Sequence, residues 1–434
     1  MESESLTPKV IIRLRSRLPV VLAVLLILLQ LVSPHRTWVI LLCGVGGMTL
    51  GAYLWARSLA RSVRAIRSLH YIVAQVGDLL EERFALYNRG SWPVLWAEVE
   101  DESTLPGYPS ERVVTAGAGE TYKWRVSVIC RQRGLFTLGP WTVRMQEPFG
   151  LFTVTQRYEE TRNLLVVPPV MQLPSVMLPR GVAVGKAVAR QTAADWTINV
   201  SATRSYSAGD PLRHIHWPSS AHCDTLMTKT FDAEVSGDLW IVLDLDAGVQ
   251  VGEGEESTEE YGVILAASLA DQMLRRNRAV GLVAYGAHDA YLVPRRGEGQ
   301  LWRILRALAL VEATEQRPLA TVLTEMRAVL GRQTTVMVIT PSANPAWVEA
   351  VGWLLYRDVI PTAVLLDPHS FGGQGDLSPV RSMLARLGVP THMISQGYPF
   401  RLSAQTEQQA RAWEFKVTPL GRVIAVRTPR EAAP

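Results

Sequence analysis

Cysteine is scarce in this chain. Cys43, Cys130 and Cys223 lie far apart along 434 residues. That spacing excludes a disulfide framework and offers no metal-ligand pattern, and it suits a reducing compartment. A phosphate-cradling Gly-Lys-Ser/Thr loop, a dinucleotide fingerprint and a nucleophile–base–orienter set are also lacking. Nothing in the sequence therefore points to a nucleotide or to an evident small-molecule substrate.

A basic body is lacking too, despite a net charge of +4 and a pI near 9.0. Of the 44 basic residues, nine stand at or before Arg67, against only Glu2 and Glu4 of the 40 acidic ones. The remainder is slightly acidic, 35 against 38. The basic pI belongs to the N-terminal segment, and no nucleic-acid surface is implied.

Long apolar runs are present, and they sit inside that basic segment. Leu18 to Ser33 and Thr37 to Ala56 are each near the roughly 20 residues that cross a bilayer, the first somewhat short. Ser33-Pro34-His35-Arg36 leaves room only for a turn. Gly44, Gly46, Gly47 and Gly51 suggest close helix approach, and Trp38, Tyr53 and Trp55 suit interfaces. No small-residue cleavage site separates the runs, so a helical hairpin is expected rather than a signal peptide. Basic residues flank it on the outside, Lys9 to Arg17 before and Arg57 to Arg67 after. The positive-inside rule then places a 1–17 basic N-terminus and the large body in the cytoplasm, with two helices in the cell membrane across 18–56. A basic membrane-proximal helix is expected over 57–75.

From 76 to 168 the pattern becomes short alternating runs broken by turn residues, as for a small β-sandwich of immunoglobulin-like size. In Tyr122, Trp124, Val126, Val128 and Cys130 one face is apolar, while Lys123, Arg125 and Ser127 take the other. Glu147-Pro148-Phe149-Gly150 is a dense turn: Pro148 fixes φ and Gly150 tolerates positive φ.

The stretch from Arg204 to Glu234, within a 169–237 linker segment, concentrates groups that need a specific environment. Asp210 lies between Arg204 and Arg213, which invites bidentate pairing. Arg213, Ile215 and Trp217 alternate with His214 and His216 as on a strand edge or extended loop. His214, His216, His222, Cys223 and Asp224 are close enough in sequence to suggest a metal, and Ser219 or Ser220 with His216 suggests a nucleophile and base. Neither reading has a supporting motif. The favoured expectation is a buried clasp of Arg204, Asp210, Arg213 and Trp217 joining the sandwich to the following body.

From 238 to 396 strands and helices alternate. Leu239 to Leu245 reads as a strand buried on both faces. Thr258–Arg278, Gln300–Ala313, Leu319–Leu330, Ala346–Tyr356 and Pro379–Leu387 read as helices. A doubly wound sheet is expected, with ligands at its carboxyl strand ends, Asp244–Gly248 and Thr340–Asn344. Gly252 to Glu260 reads as a flexible acidic loop, and the 397–434 tail is mixed, its Phe415–Arg427 stretch expected to form a hairpin or hang loosely.

Arg204-x-Tyr206-x-x-Gly209-Asp210-x-x-Arg213-x-Ile215-His216-Trp217, followed by Ser220-Ala221, Leu226, Phe231 and Glu234, resembles the signature of the domain of unknown function 58 family. Arg133-Gly134-Leu135-Phe136-x-Leu138-Gly139-Pro140 and Pro148-Phe149-Gly150-Leu151-Phe152 are similar to its second motif. Glu147 stands where that family usually has Asp, Pro218 where a basic residue commonly follows Trp, and His222 where Arg often follows Ser-Ala. The resemblance implies a von Willebrand factor A-like (vWA-like) C-terminal domain. In many such domains Asp-x-Ser-x-Ser holds a divalent ion, whereas here Asp244-Leu245-Asp246-Ala247-Gly248 leaves Asp244, Asp246 and Thr340 as the oxygen ligands for Mg²⁺ at a degenerate site. It also implies a membrane-anchored interaction module partnered by a MoxR-type AAA ATPase in assembly or maturation of envelope or other complexes. The alternatives are a metal-dependent hydrolase using Asp244, Asp246 and a central histidine, or a passive envelope scaffold.

Overall fold

The computed structural model describes residues 8–69, 72–174, 200–207, 215–231, 238–332, 334–402, 413–417 and 423–427. The chain divides into two compact units, residues 1–171 with 305–310 and 402–434, and residues 172–304 with 311–401.

In the first unit β1 (Lys9–Leu14) precedes two helices, α1 (Leu18–Val32) and α2 (Arg36–Ser62). Pro19 sits in the first turn of α1, where its missing N–H has no intrahelical partner to lose. His35 caps α2 by accepting the Thr37 N–H at 3.3 Å, and Gln30 Oε1 accepts the His35 N–H at 3.2 Å. The one polar residue of α1 thus serves the turn. Pro19, Ala23 and Leu26 are its sheltered positions, and Trp38, Leu42, Val45, Thr49 and Ala52 recur at spacings of three and four on α2. These form the facing seams of a helical hairpin, whose remaining surface is apolar and exposed, Leu18, Val21, Leu31 and Ile40 among it. A Cβ on Gly44, Gly46, Gly47 or Gly51 would meet nothing within 4 Å. The glycines therefore do not line the helix contact, contrary to the sequence expectation.

Ten strands follow: β2 (Val63–Leu69), β3 (Val73–Gln75), β4 (Leu79–Asn88), β5 (Val94–Asp101), β6 (Glu111–Ala116), β7 (Thr121–Ile129), β8 (Gly134–Leu138), β9 (Trp141–Gln146), β10 (Phe152–Tyr158) and β11 (Arg162–Val167). A five-stranded sheet runs β1-β10-β9-β5-β6, and three-stranded sheets run β2-β4-β7 and β3-β11-β8. Val99, Val143, Met145 and Val154 of the large sheet pack with Phe84, Leu86, Trp124 and Val126 of the β2-β4-β7 sheet. Ala56, Leu59 and Ala60, from the last turns of α2, enter the same core.

Two boundaries read from the sequence change. No helix spans 57–75: α2 ends at Ser62, and Val63, Ala65 and Arg67 then alternate inward as β2. Arg67 made the segment look like a basic flank, but it is a core residue. Secondly, β1 lies outside the 76–168 range yet belongs to the large sheet, pairing antiparallel with β10 from Lys9↔Arg157 to Leu14↔Phe152.

At the heart of this unit Arg67 forks onto Glu82, Nε to Oε2 at 3.0 Å and Nη2 to Oε2 at 2.7 Å, and its Nη1 lies 3.2 Å from Asp101 Oδ2. Tyr108 donates its hydroxyl to Glu82 at 2.5 Å. Burial alone would lower the guanidinium pKa, but Tyr108, Glu82 and Asp101 outweigh it and hold Arg67 above its ordinary value. Burial, more than its charged neighbours, pushes the Tyr108 phenol well up.

After the short β12 (Met171–Gln172), the second unit contains β13 (Val200–Ser205), α3 (Trp217–Cys223), β14 (Met227–Phe231), β15 (Leu239–Leu243), α4 (Thr258–Arg275), β16 (Val280–Ala284), β17 (Ala290–Arg295) and the start of α5 (Glu298–Leu310). It continues with α6 (Leu319–Met326), β18 (Thr335–Thr340), α7 (Ala346–Leu355), β19 (Ile360–Leu366), α8 (Ser378–Arg386) and β20 (Thr391–Ile394). Six strands form one sheet in the order β17-β16-β15-β18-β19-β20. All neighbours run parallel except β16 and β17. Both faces of its central strands are buried. Trp240, Val242, Val336, Val338, Ala363 and Leu365 pack under α6, α7 and α8. On the other face α4 comes so close that a Cβ on Gly262 would lie 2.8 Å from Leu243 Cδ1. In the tail, β21 (Trp413–Val417) and β22 (Val423–Arg427) pair antiparallel, Phe415 opposite Ala425.

Candidate functional site at the carboxyl end of the parallel sheet

β15 and β18 are adjacent and parallel, Leu243 beside Ile339, so Asp244, just past the end of β15, and Thr340, the last residue of β18, lie side by side at the sheet's carboxyl edge. β15 connects onward toward β16 and β18 toward β19, in opposite directions. Such a reversal opens a crevice at the carboxyl edge of an α/β sheet.

The side chains meet there. Thr340 Oγ1 donates to Asp244 Oδ2 at 2.5 Å, and Asp244 Oδ1 accepts the Asp246 N–H at 3.1 Å. Asp246 Oδ1 in turn accepts the Gly248 N–H at 2.9 Å. Gln250 Nε2 donates to the Asp244 carbonyl at 2.8 Å and is itself held by Thr258, whose hydroxyl donates to Gln250 Oε1 at 2.7 Å. On the β18 side, Ser342 donates its N–H to Thr340 Oγ1 at 2.9 Å, and Asn344 donates its N–H to Ser342 Oγ at 3.3 Å.

Asp244 is buried and has no cation among the groups that set its ionisation. Burial pushes its pKa up to about 6, opposed by the hydrogen bonds from Thr340 and Asp246. Asp246 is half-buried and Gly248 exposed, so the site opens on that side.

Asp244, Asp246 and Thr340 are therefore together in space. All three offer hard oxygen, which matches Mg²⁺ in type, and the uncompensated Asp244 carboxylate is a group a cation would relieve. The protein supplies at most these three of the roughly six ligands such an ion takes. Among the described residues, no group of three or more His, Cys, Asp or Glu side chains is arranged to hold a metal.

Gln250 was missed in the sequence, and Ser342 fell within the expected Thr340–Asn344 strand end without being singled out. The alternation Thr340-x-Ser342-x-Asn344, three short polar side chains at every second residue after a buried strand, is the signal that marks the turn.

The acidic segment beside this site is not a loose loop. Gly254–Glu256 forms a 3-10 turn, Ser257 caps α4 by accepting the Glu260 N–H, and Thr258 ties back to Val251. Glu253, Glu255 and Glu256 remain exposed on it. A surface hollow of about 450 Å³ on α8 and β20, lined by Ser378, Arg381 and Thr391, shares no residue with Asp244.

Much of the central motif falls outside the description. Gly209, Asp210, Arg213 and His214 are not among the described residues, nor is the side chain of Arg204. The Arg–Asp clasp expected of them lies outside the described residues with them. Tyr206 is half-buried and donates its N–H to the Leu226 carbonyl at 2.8 Å. Ile215 is buried and bridges to Thr228.

Two expectations change here. His216 and Trp217 are not on a strand edge, because α3 begins at Trp217 with His216 as its cap. The signal was Pro218 in the first helical turn. Trp217 is 66% exposed and is not part of a buried clasp.

His216 Nδ1 accepts the Ser219 N–H at 3.2 Å and lies 2.8 Å from Ser219 Oγ. Ser220 Oγ donates to the His216 carbonyl at 3.0 Å and accepts the Met227 N–H at 2.8 Å. These bonds close a helix start. His222, Cys223 and Asp224 are exposed.

The second unit is thus an open α/β sheet with Asp244, Asp246, Thr340 and Ser342 gathered at its switch point. Residues 202–370 match the model of the family described as protein of unknown function DUF58. It is similar to the uncharacterized protein YeaD of Bacillus subtilis (strain 168), 22% identical over 269 residues, covering 60% of this chain. That match spans 65% of YeaD, under two thirds of its length. Among solved structures, the CARDB domain of the PF1109 protein from Pyrococcus furiosus is 16% identical and covers 24% of this chain and 87% of its own, with a TM-score of 0.19. Proximal thread matrix protein 1 from the mussel byssus is 13% identical and covers 37% of this chain and 43% of its own, with a TM-score of 0.28. Neither likeness carries an argument about fold or function.

Proposed function

We propose that this protein is a membrane-anchored interaction module, held by the α1–α2 hairpin and presenting the carboxyl edge of a vWA-like sheet to a protein partner. Its topology is carried by one observation, the pairing of β1 with β10. Among the described residues α2 is the one helix long and apolar enough to cross a membrane. If it crosses, the chain before it must return, because β1 and the strands after α2 share one folded domain. α1 provides the return. Its 15 residues rise about 22 Å, less than the roughly 30 Å of hydrocarbon, so the flanking Arg17 and the Ser33–Arg36 turn extend it to the headgroups. Basic residues at the base of the hairpin favour the body on the cytoplasmic side.

The vWA-like reading is supported by the sheet order, with the first strand central and one antiparallel edge strand. Asp244, Asp246 and Thr340 would hold Mg²⁺ in such a site, and a bound ion would supply positive charge with positions open to an acidic ligand. The exposed Glu253, Glu255 and Glu256 offer a basic partner a second contact. Family resemblance makes a MoxR-type AAA ATPase the partner of choice. Affinity purification of the full chain from detergent-solubilised membranes, with an ATP analogue present, tests this. Recovery of such an ATPase, lost in a Glu253→Ala/Glu255→Ala/Glu256→Ala variant, is the expected result. Purification that repeatedly yields no ATPase contradicts the partnership.

The hydrolase alternative gains no support from the site, since the bonds described for the His216 side chain stay within the start of α3 and its N–H goes to the Met227 carbonyl.

A further inference from the structure

The β-sandwich is polarised along its strands. At one end lie Gln146, Phe152 and Leu14, which the register places beside the start of the hairpin. At the other lie Trp141, Tyr158 and Lys9. The far end carries paired charges, Arg157 with Glu102 at 3.0 Å and Lys9 with Glu159 at 3.5 Å. The near end is different. Arg15, Arg17, Arg57 and Arg61 are exposed there, and none has a carboxylate partner among the described residues.

Large apolar side chains stand in the open at this same near end. Phe149 is 56% exposed at the tip of the turn between β9 and β10. The turn is fixed: the Glu147 carboxylate, itself buried, accepts the N–H groups of Phe149, Leu151 and Phe152. It is also tied to the hairpin, because Arg15 donates its N–H to the Leu151 carbonyl at 2.7 Å and its Nη1 to Gln146 Oε1 at 2.9 Å. On the other side of the helices, Trp92 lies 4.3 Å from the Trp55 ring of α2, and Trp55 Nε1 donates to the Pro93 carbonyl at 3.3 Å. A register shift between Val94 and Ala97 leaves Leu95 and Trp96 both exposed, each at 49%.

We infer that this end of the sandwich is a membrane-contacting rim, in which Phe149, Trp92, Leu95 and Trp96 sit in the headgroup layer around the base of the hairpin while the arginines meet lipid phosphates. The occupant is the bilayer interface because the patch is continuous with the apolar helices, joined through Arg15 on one side and Trp55 on the other. Aromatic rings with nearby cations are the side chains that interface favours. The body is then fixed against the membrane and does not swing on a tether. This inference rests on the hairpin being in a bilayer.

Site-directed spin labelling separates the two claims. The full chain carries Cys43→Ser and Cys223→Ser, while the buried Cys130, its thiol pushed up to about 11 by burial, stays unlabelled. Single labels at Phe149→Cys, Trp96→Cys, Leu25→Cys and Glu255→Cys are read in phosphatidylethanolamine–phosphatidylglycerol vesicles by collision with oxygen and with a water-soluble nickel chelate. The expected result is oxygen dominant at position 25, the chelate dominant at 255, and 149 and 96 intermediate with the chelate collision rate well below that at 255. If 25 is in lipid while 149 and 96 match 255, the rim is wrong and the hairpin reading stands. If 25 itself matches 255, the hairpin reading fails and the rim with it.

Discussion

Ile12 and Val154 stand opposite each other in the antiparallel pair of β1 and β10. Ile12 precedes the helical hairpin and Val154 follows it by roughly 300 Å of extended chain at about 3.3 Å per residue, yet both serve one sheet and one core. The entry and exit of the hairpin are thereby held in a single folded body. Replacing Ile12 by Asp puts a carboxylate against that core. A loss of about 2 kcal/mol in unfolding free energy is expected, measured by denaturant titration of the full chain in detergent. An unchanged midpoint would show that β1 contributes nothing to the sheet.

Arg67→Met should be among the most damaging substitutions in the first unit. It leaves Glu82, which is fully buried, and Asp101 without their cation. Breaking one side of such a buried network costs about 3–5 kcal/mol. Adding Glu82→Leu to Arg67→Met should recover part of the loss, because the stranded carboxylate is removed. A double variant no more stable than the single would argue against the pairing.

How much of this was legible in the sequence depended on distance along the chain. The alternation of Trp124, Val126 and Val128 against Lys123 and Arg125 marks β7 locally, and the apolar run Leu239–Leu243 marks β15. Asp244 and Thr340 are 96 residues apart, but each immediately follows a strand or ends one, so the rule for carboxyl strand ends brought them together. Arg67 was opaque. Its burial depends on Glu82, Asp101 and Tyr108, none of them a neighbour in sequence, and without them an arginine near an apolar helix reads as a membrane flank. β1 was hidden for the same reason, since Lys9, Arg13, Arg15 and Arg17 drew attention to charge rather than to Val10 and Ile12.

Stability of the second unit should depend on Asp244 in mild acid. Its folded pKa of about 6 lies above the ordinary unfolded value near 3.9, so the folded state holds the proton more tightly. The stabilisation is complete below about pH 4 and is lost as pH rises through about 6, a change on the order of 3 kcal/mol. In chelator, Asp244→Asn should abolish that slope and be more stable than the parent at pH 7. Millimolar Mg²⁺ at pH 7 should raise the melting midpoint of the parent and not of the variant. Isothermal titration without binding at millimolar Mg²⁺ or Mn²⁺ would remove the ion from the site.

Glu147→Ala should loosen the turn that carries Phe149. The carboxylate accepts three backbone N–H groups, and stranding buried donors costs about 1–3 kcal/mol each before relaxation. A net loss of about 2–3 kcal/mol is expected in thermal melts. Amide exchange at Leu151 and Phe152 should accelerate more than exchange at β4, and uniform acceleration would mean that the turn is not a local unit.

Side-specific cysteine labelling tests the hairpin topology most directly. In a background of Cys43→Ser and Cys223→Ser, His35→Cys, Lys9→Cys and Glu255→Cys are introduced singly into the full chain in sealed, right-side-out membrane vesicles. A membrane-impermeant maleimide should label position 35 at once, and positions 9 and 255 only after permeabilisation. Labelling of 9 and 255 from opposite sides, or of 35 from the same side as both, would contradict a hairpin that crosses twice and returns to one sheet.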